Sequence, residues 1–185
     1  MFKKVFLASK SPRRKELLLL MGIEHQILLK DVDESFPETL ALRDVAEYIA
    51  KKKAKAFEIL PESIIITADT VVILGAEILG KPANRTEALS MLKKLSGNMH
   101  LVVTGVTIKT ANKEISFSDT TEVYFKEISD SEIEHYVDEF QPYDKAGSYG
   151  IQEWFGLVAI QKIVGSYTNV MGLPTEKLYE NLKLF

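Results

Sequence analysis

The chain contains no cysteine, only three histidines and no long hydrophobic run, and each shortage narrows what the protein can do. Without cysteine it cannot form disulfides, thiolate nucleophiles or thiolate metal sites. His25, His100 and His135 show no metal-ligand spacing, so we interpret them as structural or surface residues. The apolar run at residues 5–8 is too short for a signal peptide, and no run approaches the roughly 20 residues of a membrane span. We expect a cytoplasmic protein with no membrane partner.

A large excess of charge of either sign is also absent. The chain has 23 Lys and Arg against 26 Asp and Glu, which gives a net charge of −3. No global basic field therefore exists to attract a nucleic-acid polymer, although a few local groups could still hold a small anion. A hydrophobic content of 46% and a charged content of 26% are typical of globular proteins. The length of 185 residues predicts a single domain over residues 1–185.

Strand and helix signals are mixed along the chain, without an internal repeat or a long linker. A strand at residues 5–8 is followed by a helix that Ser11 caps, Pro12 begins and Gly22 ends. The other predicted strands lie at 63–73, 101–109, 115–125 and 157–164, the other helices at 39–59, 86–95, 130–140 and 175–184, and the main loops at 31–37, 144–152 and 165–174. This order predicts an α/β or α+β fold with a long mixed sheet.

The segment Ser9-Lys10-Ser11-Pro12-Arg13-Arg14 lies where the first strand leads into the first helix. Free backbone N–H groups and the positive end of the helix dipole favour an anion there. Arginine side chains add a planar fork of donors that fits phosphate, although two arginines at a helix start oppose the dipole. The alternative is a solvated basic turn. The combination of Ser9, Ser11, Arg13 and Arg14 with the strand before them favours a phosphate site.

Asp69 interrupts an apolar, β-branched run at residues 63–73. A carboxylate inside a buried strand is costly unless it binds a metal, pairs with a cation or takes part in proton transfer. The structural alternative is that the strand ends at Ala68 and that Asp69 caps a turn. The sequence alone leaves these two interpretations close to even.

Three further features are weaker evidence for a ligand site when each is taken alone. Lys81, between a glycine and a proline, is suited to a phosphate charge, although most lysines only solvate a surface. The glycine-rich loop at 144–152 would let backbone approach a ligand, with Gln152 offering an amide. Asp33 and Glu34 could hold Mg²⁺ or Mn²⁺, although solvated acidic loops are commoner. Neither a Walker loop nor a dinucleotide fingerprint occurs.

Six blocks of sequence together resemble the Maf family of nucleoside triphosphate pyrophosphatases. They are Leu7-Ala8-Ser9-Lys10-Ser11-Pro12-Arg13-Arg14, Ala68-Asp69-Thr70-Val71-Val72, Gly80-Lys81-Pro82, His100 with Val103-Thr104-Gly105, residues 144–152, and residues 165–174. The blocks occur in order over essentially the whole chain. The resemblance implies a twisted mixed sheet flanked by helices, similar to the fold of inosine triphosphatases, with the active-site cleft between two lobes.

The resemblance also implies a reaction, which is the hydrolysis of a nucleoside triphosphate between its α and β phosphates with a divalent metal. The catalytic residue of the family falls on Asp69, and Glu34 with Asp69 would hold Mg²⁺ or Mn²⁺. With the loop at the helix start included, the predicted substrate-binding residues are Ser9, Ser11, Arg13, Arg14, Lys53, Lys81 and Gln152.

Three positions match the branch of the family that acts on dTTP and UTP, namely Arg13, Thr70 and Gln152. The resemblance therefore implies a pyrimidine nucleotide, canonical or modified, as substrate of a house-cleaning enzyme. The alternatives are a preference for 7-methyl-GTP and a nucleotide-binding regulator of septum formation and cell division. A homodimer is usual among such relatives.

Overall fold

The structure is a computed structural model, and it describes residues 4–185. The strands are β1 (Lys4–Leu7), β2 (Gln26–Ile27), β3 (Ser63–Leu74), β4 (Glu77–Leu79), β5 (Met99–Lys109), β6 (Glu114–Phe125) and β7 (Ile160–Val164). The α-helices are α1 (Pro12–Leu20), α2 (Val45–Lys55), α3 (Arg85–Leu95), α4 (Asp130–Phe140), α5 (Trp154–Ala159), α6 (Tyr167–Met171) and α7 (Thr175–Leu182).

The strands form one mixed sheet in the order β2-β1-β3-β5-β6-β7, and β4 pairs with β3. The strand β1 runs parallel to both β2 and β3, whereas the β3–β4 and β6–β7 pairs are antiparallel. Leu7, at the end of β1, is paired with Ile66 of β3. The loop after β1 therefore begins beside the part of β3 that carries Asp69. The predicted α/β fold with a mixed sheet and flanking helices is confirmed.

Residues 4–185 divide into two compact units. The first unit contains residues 4–70, 104–119 and 172–185, and the second contains residues 71–103 and 120–171. The sequence prediction of a single domain over 1–185 stays a prediction, and so does the cleft between two lobes.

The first unit is built around the contact between α2 and the sheet. The side chains of Ile64, Ile65 and Ile66 in β3 are fully buried. Thr67 Oγ1 donates a hydrogen bond to the carbonyl oxygen of Ala50 in α2 at 2.7 Å. Because the hydroxyl and the carbonyl satisfy each other, the strand and the helix can pack closely without leaving a buried polar group unpaired.

Gly105 in β5 is the closest point of this packing. A Cβ atom at this position would lie 2.2 Å from the backbone nitrogen of Glu47 and 2.3 Å from the carbonyl carbon of Ala46. No side-chain rotation can relieve an overlap with helix backbone. We expect Gly105→Ala to lower the free energy of unfolding by about 3 kcal/mol, measured by urea denaturation. Gly80→Ala is the matched control, because a Cβ there meets nothing within 4 Å. An equal loss in both variants would contradict this account.

The second unit has a core of aromatic and aliphatic side chains. Tyr136 and Phe155 are fully buried, and Phe125 packs edge-on against Phe155 with ring centroids 5.5 Å apart. His100 joins this cluster, and its Nε2 lies 2.7 Å from the hydroxyl of Tyr149. The histidine is 1% exposed, which agrees with its interpretation as a structural residue.

Burial lowers the pKa of His100 to about 3 from the ordinary value of 6.5. Between pH 3 and pH 6.5 the His100 imidazole is protonated in the unfolded chain and neutral in the folded chain, so acid favours unfolding. We expect His100 alone to lower the free energy of unfolding by about 1.4 kcal/mol per pH unit as the pH falls below 6. Urea denaturation at pH 7 and pH 5 should show a weaker pH dependence in His100→Gln. An unchanged pH dependence would contradict this. His135→Gln, at an exposed position of α4, serves as the control.

The helix predicted over residues 39–59 is shorter in the structure, so the prediction was wrong at both ends. A 3-10 turn at Leu42–Asp44 precedes α2, and α2 ends at Lys55. The Nζ of Lys30 donates a hydrogen bond to the carbonyl oxygen of Ala56 at 2.7 Å. This lysine binds a carbonyl at the helix end that would otherwise accept from a further helical turn. Local patterns could not predict the contact, because Lys30 is distant from Ala56 in the sequence.

Further differences from the prediction concern the C-terminal segment and two short strands elsewhere. The strand predicted at 157–164 begins only at Ile160, because α5 precedes it. In α5, Gly156 lies so close to the carbonyl oxygen of Ile151 that a Cβ would be 2.0 Å away. The loop predicted at 165–174 contains the short helix α6, and the short strands β2 and β4 were not predicted. None of the helices in residues 4–185 is long and hydrophobic enough to span a lipid bilayer.

Candidate active site

The loop between β1 and α1 is folded by its own hydroxyl groups. Ser11 is the N-cap of α1, and its Oγ accepts a hydrogen bond from the backbone N–H of Arg14 at 3.4 Å. Ser9 Oγ accepts from the backbone N–H of Ser11 at 3.1 Å. The predicted cap and first-turn proline are confirmed. The two serines thus shape the helix start at which an anion would meet free N–H groups.

The guanidinium of Arg14 forms hydrogen bonds with other parts of the protein. It donates to the carbonyl oxygens of Gly172 at 2.7 Å and Ala68 at 2.9 Å, and to Thr70 Oγ1 at 2.9 Å. A longer bond of 3.3 Å reaches Ser9 Oγ. Arg14 therefore ties the loop after β1 to β3 and to the chain before α7. The sequence suggested a phosphate contact or a basic turn, and neither includes this linking role.

The charge of Arg14 lies in the field of Asp69. Burial lowers the pKa of the Arg14 guanidinium, and the negative charge of Asp69 offsets part of that effect. Arginine stays protonated in proteins, so the side chain remains a fixed positive charge near this carboxylate.

Asp69 lies inside β3, which continues to Leu74, so it does not cap a turn after Ala68. Its Oδ1 atom lies 2.8 Å from the Nζ of Lys53, and the Oε1 atom of Glu34 is also 2.8 Å from that Nζ. The side chains of Asp69 and Lys53 are 14% and 16% exposed, whereas Glu34 is 54% exposed. One ammonium thus joins two carboxylates in a partly buried, solvent-reachable place.

The predicted metal pair, Glu34 and Asp69, fits a magnesium ion by its donor chemistry. Within residues 4–185 no group of three or more His, Asp or Glu side chains could hold a metal by itself. Magnesium is commonly bound through one or two carboxylates, with water and substrate phosphates completing its shell. Two carboxylates that converge on one cation, here Lys53 Nζ, match that partial set. The metal itself stays a prediction.

Arg13 and Thr70 were predicted to influence substrate choice. Arg13 lies in the first turn of α1 and is half-buried. The hydroxyl of Thr70 lies 2.9 Å from Thr104 Oγ1 and receives the bond from Arg14. Thr70 therefore contributes to holding Arg14 in place. Thr104 and Gly172 complete this arrangement, and only their presence in the family blocks could have marked them, because neither residue type signals chemistry.

Lys81 and Gln152 lie in the second unit. Lys81 is exposed and follows β4 by two residues. Gln152 is half-buried at the end of the glycine-rich loop, and its Oε1 atom has no hydrogen-bond partner within residues 4–185. In the first unit, Arg14 binds Ser9 and Thr70, and Lys53 binds Glu34 and Asp69. Ser11 and Arg13, also in this unit, lie at the start of α1. Lys81 and Gln152 belong to the other unit.

A family model described as Maf-like protein matches residues 4–185. The chain belongs to this family. The Maf-like chain is 50% identical over 183 residues to a dTTP/UTP pyrophosphatase of Phocaeicola vulgatus, which covers 97% of this chain and 95% of the relative. It is 48% identical over 178 residues to a dTTP/UTP pyrophosphatase of Flavobacterium psychrophilum, which covers 95% and 91% of the two chains. The family predicted from the sequence is confirmed.

The fold of the Maf-like chain is also found in a solved structure. A HAM1 protein from Coxiella burnetii superposes with a TM-score of 0.53 over 98% of this chain and 99% of that one. The two sequences are 13% identical, so the likeness concerns the fold alone.

Proposed function

We propose that this Maf-like chain hydrolyses dTTP and UTP to the corresponding monophosphates and pyrophosphate. Relatives of about half identical sequence, matched over nearly their whole length, are named for this activity. The structural observation that carries the proposal is the placement of Lys53 between Asp69 and Glu34, with Arg14 fixed nearby. Two carboxylates and two cations at one place suit the cleavage of a polyphosphate.

Asp69 acts on the attacking water in this proposal. The water oxygen forms a bond to the α phosphorus, the bond from that phosphorus to the oxygen bridging the α and β phosphates breaks, and a proton of the water passes to the carboxylate of Asp69. Pyrophosphate leaves with the electrons of the broken bond. Because Lys53 holds one oxygen of Asp69 at 2.8 Å, the carboxylate keeps one orientation towards the water.

The phosphates would be held by positive charge and by backbone N–H groups. Ser9 and Ser11 shape the start of α1, where N–H groups favour an anion. Arg13, in the first turn of α1, would add a guanidinium contact to the phosphates. Lys81 would add a phosphate contact, and Gln152 would contribute to base selection. Glu34 and Asp69 would hold Mg²⁺ or Mn²⁺, which when bound neutralises phosphate charge and lowers the pKa of a coordinated water.

A panel of nucleotides tests the choice of substrate. Purified protein with Mg²⁺ or Mn²⁺ is given dTTP, UTP, CTP, ATP, GTP and 7-methyl-GTP, and pyrophosphate release is followed. We expect kcat/KM for dTTP and UTP to exceed the other values by at least about tenfold. A preference for 7-methyl-GTP would overturn the pyrimidine proposal, and binding without turnover across the panel would support the regulator instead.

The cytoplasmic location expected from the sequence and the homodimer implied by the family resemblance also remain proposals. Cell fractionation tests the first, and light scattering of the purified chain tests the second.

A further inference from the structure

The loop at residues 144–152, here called the glycine loop, is held by an anchor that the catalytic proposal does not use. The anchor is the carboxylate of Glu153, directly after the loop. Its Oε1 atom lies 3.0 Å from the Nζ of Lys145, and its Oε2 atom accepts a hydrogen bond from the hydroxyl of Tyr136 in α4. One carboxylate thus connects the first turn of the loop to a helix in the core.

This anchor is largely removed from solvent. The side chains of Lys145 and Glu153 are 9% and 20% exposed, and Tyr136 is fully buried. Lys145 also pairs with Asp144 at 2.6 Å. Because Lys145 and Tyr136 both hold the Glu153 carboxylate in a place with little solvent, its geometry is more tightly held than that of a surface pair.

Gly150 fits directly against this carboxylate. Its backbone N–H donates to the hydroxyl of Tyr136 at 3.1 Å, and its carbonyl oxygen accepts from the backbone N–H of Glu153 at 3.1 Å. A Cβ at Gly150 would lie 2.7 Å from Cδ of Glu153. The loop therefore needs glycine here so that the side chain of Glu153 can fold back over it.

The middle of the glycine loop has an unfavourable conformation that requires such support. Gly147 and Ser148 have φ angles of 69° and 63°, and the second is uncommon for a residue with a side chain. Ser148 is fully buried, and its hydroxyl has no hydrogen-bond partner within residues 4–185. The backbone N–H of Gly147 donates to the carbonyl oxygen of Gly80, the residue before Lys81, at 3.0 Å. Surrounding contacts must offset the cost of this conformation.

We propose that Glu153 is a positioning residue that fixes the glycine loop, and with it Gln152, so that base selectivity depends on a residue without nucleotide contact. This inference rests on the proposed function. Gln152 lies between two anchored points, Gly150 and Glu153, while its own Oε1 atom has no partner within the described chain. The anchored backbone on either side therefore fixes the position from which the side chain of Gln152 extends.

The test compares Glu153→Gln with the wild type. Glutamine keeps the shape and can still accept from Tyr136, but it removes the negative charge that Lys145 pairs with. We expect the ratio of kcat/KM for dTTP over CTP to fall about tenfold, because a misplaced amide no longer discriminates between bases. Hydrogen exchange in the peptide covering residues 144–152 should quicken by at least about tenfold, with β5 unchanged. Glu139→Gln, the same change at an exposed position of α4, should alter neither measurement.

The outcomes separate this inference from the proposed function. An active Glu153→Gln variant with unchanged selectivity and exchange would overturn the positioning role. If that variant does not fold, Tyr136→Phe, which removes one hydroxyl, must show the faster exchange at Gly150 or the proposal falls. A wild type that hydrolyses none of the nucleotides overturns the proposed function and the selectivity claim together, whereas faster loop exchange in Glu153→Gln would still support Glu153 as the anchor of the loop.

Discussion

Asp69→Asn is expected to lower kcat for dTTP hydrolysis by about 10³-fold, while the dissociation constant of the nucleotide changes by less than about threefold. The amide has the same size and can still accept the hydrogen bond from Lys53, but it cannot take a proton from water. Steady-state kinetics of pyrophosphate release give kcat, and calorimetric titration with a non-hydrolysable analogue gives the dissociation constant. The loss should appear in kcat because the missing interaction belongs to the reaction itself.

Asp119→Asn is a matched control for this substitution. Asp119 is 15% exposed, nearly as buried as Asp69, and it too pairs with a lysine, Lys177 at 2.6 Å, although Lys177 is more exposed than Lys53. We expect the control to keep kcat within about threefold of the wild type. Near-normal turnover in Asp69→Asn, or an equal loss in both variants, would contradict the assignment of Asp69.

Lys53→Met is expected to lower kcat/KM for dTTP by about 10²-fold. The substitution removes the ammonium that lies 2.8 Å from both Asp69 and Glu34, and leaves two carboxylates facing each other. It also removes a positive charge that would stabilise charge on the phosphates in the transition state. The measurement is pyrophosphate release at several dTTP concentrations, with the free energy of unfolding followed in parallel.

Lys52→Met separates this effect from the loss of any lysine in α2. Lys52 is the adjacent residue, and its Nζ binds Asp33 Oδ2 at 2.9 Å and the carbonyl oxygen of Ser35 at 3.0 Å. We expect less than a fivefold loss of kcat/KM in this control, because an exposed pair contributes little. If both variants lose activity equally, Lys53 has no special role.

Local signals predicted the starts of α1 and α4 well. Ser11 caps α1, and Ser129 with Glu132 forms the complete capping box that opens α4, as the spacing of these residues indicates. These features depend on residues within one turn, so the sequence carries them directly. The place of Asp69 within β3 could not be predicted in this way, because the same residues are compatible with an unbroken strand and with a strand that ends in a turn. Only the observed pairing of β3 beyond Asp69 with β4 separates the two.

Contacts between distant segments could not be predicted from local patterns. Arg14 binds the carbonyl oxygen of Gly172, a residue 158 positions away. The family resemblance placed Arg14 in the site, yet nothing in its neighbourhood showed that the peptide backbone would engage its guanidinium. The same holds for Lys53, whose predicted phosphate role gave no sign of a bridge between Glu34 and Asp69. Such a bridge depends on how α2 packs against β3 and on the path of the loop that carries Glu34.

The glycine loop shows the same division between local and distant information. Gly147 and Gly150 marked a segment in which backbone could approach a ligand closely. In the structure, the close approach is to other parts of the protein. A Cβ added at Gly147 would lie 3.0 Å from the side chain of Val72, and one added at Gly150 would lie against Glu153. Part of the glycine requirement therefore comes from packing.

The products formed from dTTP test the central claim most directly. Wild-type protein is incubated with dTTP and Mg²⁺, and the phosphorus signals of all products are followed by ³¹P NMR. We expect dTMP and pyrophosphate in equal amounts, with neither formed at a comparable rate by Asp69→Asn. Formation of dTDP and orthophosphate, or tight binding of dTTP that remains intact, would contradict a pyrophosphatase centred on Asp69.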